Sequence, residues 1–110
     1  MGKKPAIFKA EGSGECVVVS ISGDFTYEHT SEFKTLLKGL TGGRKARKID
    51  LDLAECGFVD SGCMGAMAQA QKELSARGGG LLIVNPQPEV LKAMRRIRLD
   101  AVIPIKGKKK

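Results

Sequence analysis

Residues 58–65 read Phe58-Val59-Asp60-Ser61-Gly62-Cys63-Met64-Gly65, a short apolar stretch that passes through an acidic and a hydroxyl residue into a helical pattern. Beyond Ser61 a mostly apolar stripe recurs at helical spacing; it consists of Met64, Met67, Ala68, Gln71, Leu74 and Ser75. Glycines 78–80 end the pattern, because glycine readily adopts the left-handed backbone that follows many helices. The stretch therefore predicts a strand end that leads into a helix starting just after Ser61.

Strand patterns lie on both sides of this junction. Residues 49–53 alternate strictly, with Asp50 and Asp52 on the polar face, and residues 81–84 form the continuous apolar run typical of a strand buried on both faces. Two carboxylates on one strand face are a candidate for metal binding or proton sharing, but no third ligand lies nearby. The favoured interpretation is a sheet with one partly solvated face, so that helices pack mainly on the other.

The chain opens with a hairpin pattern. Residues 6–10 and the β-branched run at 16–22 flank a glycine-rich turn at 11–15. Gly12 and Gly14 do not extend to the third glycine of a dinucleotide-binding motif, because residue 17 is Val.

Helical patterns follow the loop at 24–29 and the turn at 85–88. Thr30 is a candidate N-cap for a helix that runs to about Leu40, and Pro88 suits the first position of a last helix. Residues 101–103 are predicted as a final short strand. The order β-β-α-β-α-β-α-β predicts a single α/β domain over residues 1–110, with its core at about 6–105. We expect a mixed sheet of about five strands, with an antiparallel N-terminal hairpin followed by parallel strands.

Length and composition agree with one soluble domain. The chain has 110 residues, of which 42% are hydrophobic and 28% charged, and no apolar run approaches the roughly 20 residues of a membrane span. Its start lacks the apolar stretch of a secretory signal, so we expect a cytoplasmic protein. The three cysteines form no CxxC pair and His29 is the one histidine, so the sequence predicts free thiols, no metal and no cofactor.

The formal charge of +7 is concentrated near the C-terminus. Residues 1–91 hold 11 basic and 11 acidic residues, whereas residues 92–110 hold 8 basic and 1 acidic. Residues 106–110 are typical of a solvated tail, and residues 44–48 of an exposed basic connection. No basic stripe interleaves with stacking aromatics, which disfavours nucleic-acid binding. Binding of a nucleic acid or another acidic surface through Arg95, Arg96, Arg98 and the tail stays open as an alternative.

Ser61 has three interpretations. A serine at a helix start usually acts as the N-cap, and from spacing alone this is the simplest one. A phosphate on Ser61 is also compatible with the fold, because the unpaired N–H groups and dipole of a helix amino end favour negative charge. A nucleophilic Ser61 needs a base, and only His29 is available, without a GxSxG motif. The sequence predicts no enzyme active site.

Several motifs together resemble a STAS domain of the bacterial anti-sigma factor antagonist type. The resemblance covers about Phe8 to Ile105 and is most specific at the Asp-Ser pair. The motifs are Ile21–Phe25, Ile49–Leu53, Phe58–Gly65, and Pro88 with Val90. The chain departs from the common Asp-Ser-Ser-Gly-Leu-Gly pattern of the family in having Gly62 and Cys63 after Ser61.

The resemblance implies a phosphorylation switch. In that family the serine after the aspartate is phosphorylated by an anti-sigma factor that is also a serine kinase of the GHKL ATPase type. The unphosphorylated antagonist binds this kinase and releases a sigma factor, and a PP2C-type phosphatase restores it. Ser61 is the matching serine here. We expect the partner surface to comprise Phe25, Thr26, Tyr27, Glu28, Asp60, Ser61, Gly62, Cys63 and Met64. Some STAS domains are instead non-switching subunits of larger complexes, which remains an alternative.

Overall fold

The chain forms six strands and three α-helices in a computed structural model that describes residues 4–43 and 46–107. Arg44 and Lys45 of the predicted connection and Lys108–Lys110 of the tail lie outside these residues. The strands are β1 (Ile7–Ser13), β2 (Cys16–Phe25), β3 (Lys48–Asp52), β4 (Cys56–Val59), β5 (Gly80–Val84) and β6 (Ile105–Lys106). The helices are α1 (Thr30–Lys38), α2 (Ser61–Ala76) and α3 (Pro88–Arg96).

The strands form one mixed sheet. β1 and β2 make the predicted antiparallel hairpin, and β2, β3, β5 and β6 then pair in parallel, in the order β1-β2-β3-β5-β6. The α/β class, the hairpin and the parallel strands after it are thus confirmed. In a parallel sheet every strand ends at the same edge, so α1, α2 and α3 all begin at that edge of the molecule.

β4 is a sixth strand: the sequence indicated a strand end before Ser61, but the predicted strand order did not include it. It pairs in parallel with the last three residues of β2, and the register shifts within this pairing, between Gly23 and Asp24. Gly23 has a φ of 88°, and a side chain there would collide with the carbonyl oxygen of Pro5. Within β4 Cys56 and Val59 are buried while the two residues between them are exposed, so four residues show no alternation to recognise.

The final strand lies later than predicted. Residues 101–103 are not extended: Leu99–Ala101 form a 3₁₀ turn, and the strand is Ile105–Lys106. Arg98 has a left-handed φ of 63°, which turns the chain sharply after α3, and Val102 is exposed between the buried Leu99 and Ile103. The apolar residues of this segment therefore anchor a turn, which is why the strand prediction was wrong.

Register brings the core residues of the sheet into rows on one face. Val17, Ile49 and Leu81 align across β2, β3 and β5, as do Val19, Leu51 and Ile83, and all of them are buried. They form one cluster with buried residues of all three helices, so the helices pack on this face. On the other face Asp50, Leu82 and Val84 are only partly buried. The prediction that β5 is buried on both faces was therefore wrong.

The ends of the helices follow ordinary capping rules, and one N-cap lies a residue earlier than predicted. Pro88 is the first residue of α3 as predicted, and Gly78 takes a left-handed φ of 85° just after α2. α1 begins at Thr30, so its N-cap is His29 rather than the predicted Thr30. Among the helices described here, none is long and apolar enough to cross a bilayer.

Candidate functional site

The amino end of α2 is capped by Asp60. Its Oδ1 accepts a hydrogen bond of 2.9 Å from the backbone N–H of Cys63, which is the usual N-cap contact. Ser61 is the first helical residue and is exposed, and its hydroxyl makes no hydrogen bond within the described part of the chain. The interpretation of Ser61 as a cap is therefore wrong, because Asp60 performs that role and leaves the hydroxyl facing solvent.

Asp60 also joins α2 to the turn that follows β2. Its Oδ2 accepts a hydrogen bond of 2.7 Å from the backbone N–H of Tyr27, and its own N–H donates to the carbonyl of Phe25 at 3.1 Å. This contact extends the pairing of β2 with β4, in which Phe25 aligns with Val59. The 3₁₀ turn Tyr27–His29 consequently lies beside the start of α2, as expected for the neighbouring loop.

The ring of His29, the last residue of this turn, contacts Ala6 and Thr26. Its Nε2 accepts a hydrogen bond of 3.3 Å from the backbone N–H of Ala6, and its Nδ1 lies 3.4 Å from the Thr26 hydroxyl. These contacts fasten the segment before β1 to the turn. Ser61 is not among the hydrogen-bond partners of the ring, so the structure does not assemble the Ser61–His29 pair that a nucleophilic serine requires.

Burial divides the nine residues expected at the partner surface. Tyr27, Glu28, Ser61 and Gly62 are exposed and Asp60 is partly so. The side chains of the other four support the site from inside and cannot contact a partner, which corrects the expectation for them. These buried residues are Phe25, Thr26, Cys63 and Met64.

Two exposed aromatic side chains lie in the segments next to Ser61. Tyr27 is 73% exposed in the turn, and Phe58 is 47% exposed on β4, two residues before Asp60. Sequence reasoning treated Phe58 as an apolar strand residue and did not place it at the surface. The sequence carried no signal for this exposure, because residues 56–59 show no alternation of buried and exposed positions.

Hydrogen bonds keep the Asp60 carboxyl ionised. Burial acts to raise the pKa of Asp60, but the N–H groups of Cys63, Tyr27 and Gly62 outweigh it and hold the pKa below its usual value. Burial and the neighbouring Asp60 carboxylate raise the pKa of Cys63 to about 12. The Cys63 thiol therefore stays protonated at neutral pH and is a poor nucleophile.

Of the two carboxylates predicted to share a face of β3, Asp52 has a structural role. Oδ1 of Asp52 accepts hydrogen bonds from the N–H of Ala54 at 3.0 Å and from Nδ2 of Asn85 at 3.4 Å. Within residues 4–43 and 46–107, no group of three His, Cys, Asp or Glu residues is arranged to hold a metal ion. The chemistry that this end of the molecule offers is thus an exposed hydroxyl beside an ionised carboxylate and two aromatic rings.

Comparison with known proteins gives one family and a consistent set of structural neighbours. A family model described as "Mlab, STAS domain" matches residues 8–104. The anti-sigma factor antagonist SpoIIAA in its unphosphorylated form has a TM-score of 0.80 at 21% identity, over 90% of this chain and 87% of that one. The Bacillus cell fate determinant SpoIIAA in its phosphorylated form has a TM-score of 0.71 at 20% identity, over 90% of each chain.

A third neighbour is an anti-sigma factor antagonist from Mycobacterium paratuberculosis, with a TM-score of 0.82 at 17% identity, over 94% of this chain and 87% of that one. At these identities the neighbours share the fold, and the family match extends over nearly the whole sheet and all three helices. The chain belongs to the STAS domain family.

Proposed function

We propose that this protein is an anti-sigma factor antagonist controlled by phosphorylation of Ser61. In its unphosphorylated form it binds an anti-sigma factor that is also a GHKL-type serine kinase, and a sigma factor is released. Phosphate on Ser61 blocks this binding, and a PP2C-type phosphatase removes it. The protein has no catalytic activity of its own and acts in the cytoplasm, where transcription is regulated.

One observation carries the proposal: the Ser61 hydroxyl is exposed at the start of α2 while Asp60 caps the helix. A kinase can reach such a hydroxyl without unfolding the helix, and its modification breaks no hydrogen bond that holds the fold. The structural neighbours support the same function, since SpoIIAA is an anti-sigma factor antagonist with the same fold and one of its structures is the phosphorylated form.

Electrostatics explains how one phosphate ends binding. Phosphoserine carries about two negative charges at neutral pH, and here they are placed beside the Asp60 carboxylate, whose lowered pKa keeps it ionised. A partner that covers this helix end must desolvate the added charge, which costs several kcal/mol if it is unpaired. Because about 1.4 kcal/mol corresponds to a tenfold change in affinity, one modification suffices.

The partner surface that we propose is smaller than the sequence suggested and includes one added residue. Tyr27, Glu28, Asp60, Ser61 and Gly62 supply its exposed groups, and Phe58 extends it along β4. Aromatic rings contribute strongly to protein interfaces because they bury large areas with few rotatable bonds. Tyr27 and Phe58 are therefore the candidate aromatic anchors of this surface.

Labelling with the cognate kinase and ATP tests the proposal. We expect one phosphate per chain on the wild type and on Ser75→Ala, which alters another exposed serine of α2, and none on Ser61→Ala. The phosphorylated protein should bind the kinase at least about tenfold more weakly than the unmodified protein. Label that persists in Ser61→Ala contradicts the proposal. Tight binding that neither phosphate nor Ser61→Ala changes would instead indicate a non-switching interaction subunit.

A further inference from the structure

The fold gathers a set of cations at the end of the molecule opposite Ser61. The sequence places α3 residues and the chain terminus in one basic segment, but β6 pairs Lys106 with Val84 at the edge where the helices begin. The cations at the end of α3 instead lie with cations at the start of β3 and at the end of α2. We call this set the basic end: Arg47, Lys48, Lys72, Arg77, Arg95, Arg96 and Arg98, all of them exposed.

Backbone contacts show that these residues come together. The N–H of Gly80 donates to the carbonyl of Arg47 at 2.9 Å, so the start of β3 lies against the start of β5, immediately after Arg77. Nε2 of Gln71 donates to the carbonyl of Val102 at 3.2 Å, while its Oε1 accepts from the N–H of Leu81 at 2.7 Å. The Gln71 side chain thus links the turn after α3 to the start of β5.

Little at this end neutralises the cations. Glu15, Asp50, Glu73 and Asp100 are the acidic residues of the adjoining segments, and Asp50 lies on the same face of β3 as Lys48. In the part of the chain that the structure describes, the one ion pair joins Lys9 and Glu11 at 3.7 Å, so no cation of the basic end is paired. Seven cations against four anions leave this end with a surplus of about three positive charges, which attracts anionic surfaces.

Apolar side chains are exposed among the cations. Ile97 is 49% exposed between Arg96 and Arg98, and Val102 is 50% exposed in a groove that it shares with Lys72. The phosphate backbone of a nucleic acid makes no favourable contact with aliphatic side chains. The exposed aromatic rings that could stack on its bases are Tyr27 and Phe58, and both lie at the Ser61 end. A bilayer surface binds both the cations and the aliphatic side chains, because headgroup phosphates attract the cations and aliphatic groups enter the membrane interface.

We propose that the basic end binds the surface of a membrane rich in anionic lipids. The α3 helix supports this orientation, because Val90 and Met94 face the core while Lys92, Arg95 and Arg96 face solvent. The helix ends on the membrane side, and the amino end of α2, which carries Ser61, faces away from it. The protein can therefore bind the membrane surface with its basic end while its Ser61 end binds a protein partner.

Sedimentation with vesicles tests this proposal independently of any kinase. The probes are vesicles of phosphatidylglycerol and phosphatidylcholine in equal parts, and vesicles of phosphatidylcholine alone. We expect binding to the first only, weakening as NaCl is raised from about 50 to about 200 mM. Neutralising the basic end in Arg77→Gln/Arg95→Gln/Arg96→Gln should lower the partition coefficient at least about tenfold.

A matched variant separates position from net charge. Lys4→Gln/Lys9→Gln/Lys34→Gln removes the same number of exposed cations from elsewhere on the surface, so it should bind nearly as well as the wild type. Ile97→Ser/Val102→Ser keeps every charge and should weaken vesicle binding severalfold, with an unchanged far-UV circular dichroism spectrum.

Three results would overturn the proposal. If the triple arginine variant and the triple lysine variant lost vesicle binding equally, net charge alone would be responsible. Equal binding to both kinds of vesicle would exclude anionic lipid recognition. Tighter binding to a DNA duplex than to the anionic vesicles, unaffected by Ile97→Ser/Val102→Ser, would assign the basic end to a nucleic acid instead.

Discussion

Asp60 connects two segments that lie far apart in the sequence. One carboxylate oxygen caps α2 and the other holds the turn after β2, so this side chain and the pairing of β2 with β4 together fix the position of Tyr27 relative to Ser61. The sequence pointed to the Asp-Ser pair and to the adjacent turn, but it could not assign the cap. Asp and Ser are both good N-caps, and the choice is decided by the pairing of β4 with β2, which is not a local property.

Replacement of Asp60 should destabilise the fold, by more with alanine than with asparagine. Asp60→Ala removes the cap and the bond to Tyr27, and we expect it to lower the free energy of unfolding by about 1–2 kcal/mol. Asp60→Asn keeps one acceptor oxygen, so its loss should be smaller. Urea unfolding measures both. Glu55→Ala, at an exposed residue in the turn before β4, is the control and should change stability little. Equal stability of wild type and Asp60→Ala would mean that these hydrogen bonds contribute nothing.

The same carboxylate predicts a pH dependence of stability. Because its pKa is lowered in the folded protein, the stabilisation is present above the pKa of the unfolded chain, about 4, and is lost as pH falls through the folded pKa. Urea unfolding at a series of pH values from neutral to acidic should therefore show a loss of stability in the wild type that is smaller in Asp60→Asn. Parallel curves for the two proteins would contradict the assignment.

At the scale of elements, periodic segments were predictable and short ones were not. α2 and α3 carry long apolar patterns with recognisable ends, and the hairpin has β-branched residues around glycines, so local sequence determines them. β4 and β6 are four and two residues long, and each exists because of the strand it pairs with. Tertiary pairing of this kind leaves little mark on the sequence.

Gly23 is the residue that allows β2 to change partners. It lies at the register shift, has a φ of 88°, and its N–H donates to the carbonyl of Glu55 at 3.0 Å. Gly23→Ala should lower the free energy of unfolding by more than about 1 kcal/mol, because it adds left-handed strain and a collision with Pro5. Urea unfolding also measures the matched Gly39→Ala. Gly39 has helical backbone and open space around it, so this change should be neutral or stabilising by up to about 1 kcal/mol. Equal effects of the two substitutions would contradict this role for Gly23.

At the scale of the whole molecule, topology separates two kinds of surface. Parallel strands bring every helix start to one edge, where Glu28, Asp60 and Glu89 lie, and every helix end to the other, where the basic end forms. α2 alone spans about 24 Å between them. This exceeds the Debye length of about 8 Å at physiological ionic strength, so charge added at Ser61 acts locally. Sequence composition showed the surplus of positive charge, but only the fold shows which cations share an end.

One hydrophobic cluster joins the sheet to all three helices, and this predicts cooperative unfolding. Cys56 and Cys63 lie in that cluster beneath the Ser61 end, and burial raises the pKa of both thiols, so each should react only after the core opens. In a Cys16→Ser background, which removes the exposed thiol, pulsed alkylation and far-UV circular dichroism should give the same urea midpoint. Alkylation of Cys63 at lower urea than the loss of helix signal would show that the start of α2 opens on its own. In that case the core would not hold the Ser61 end as firmly as the rest of the fold.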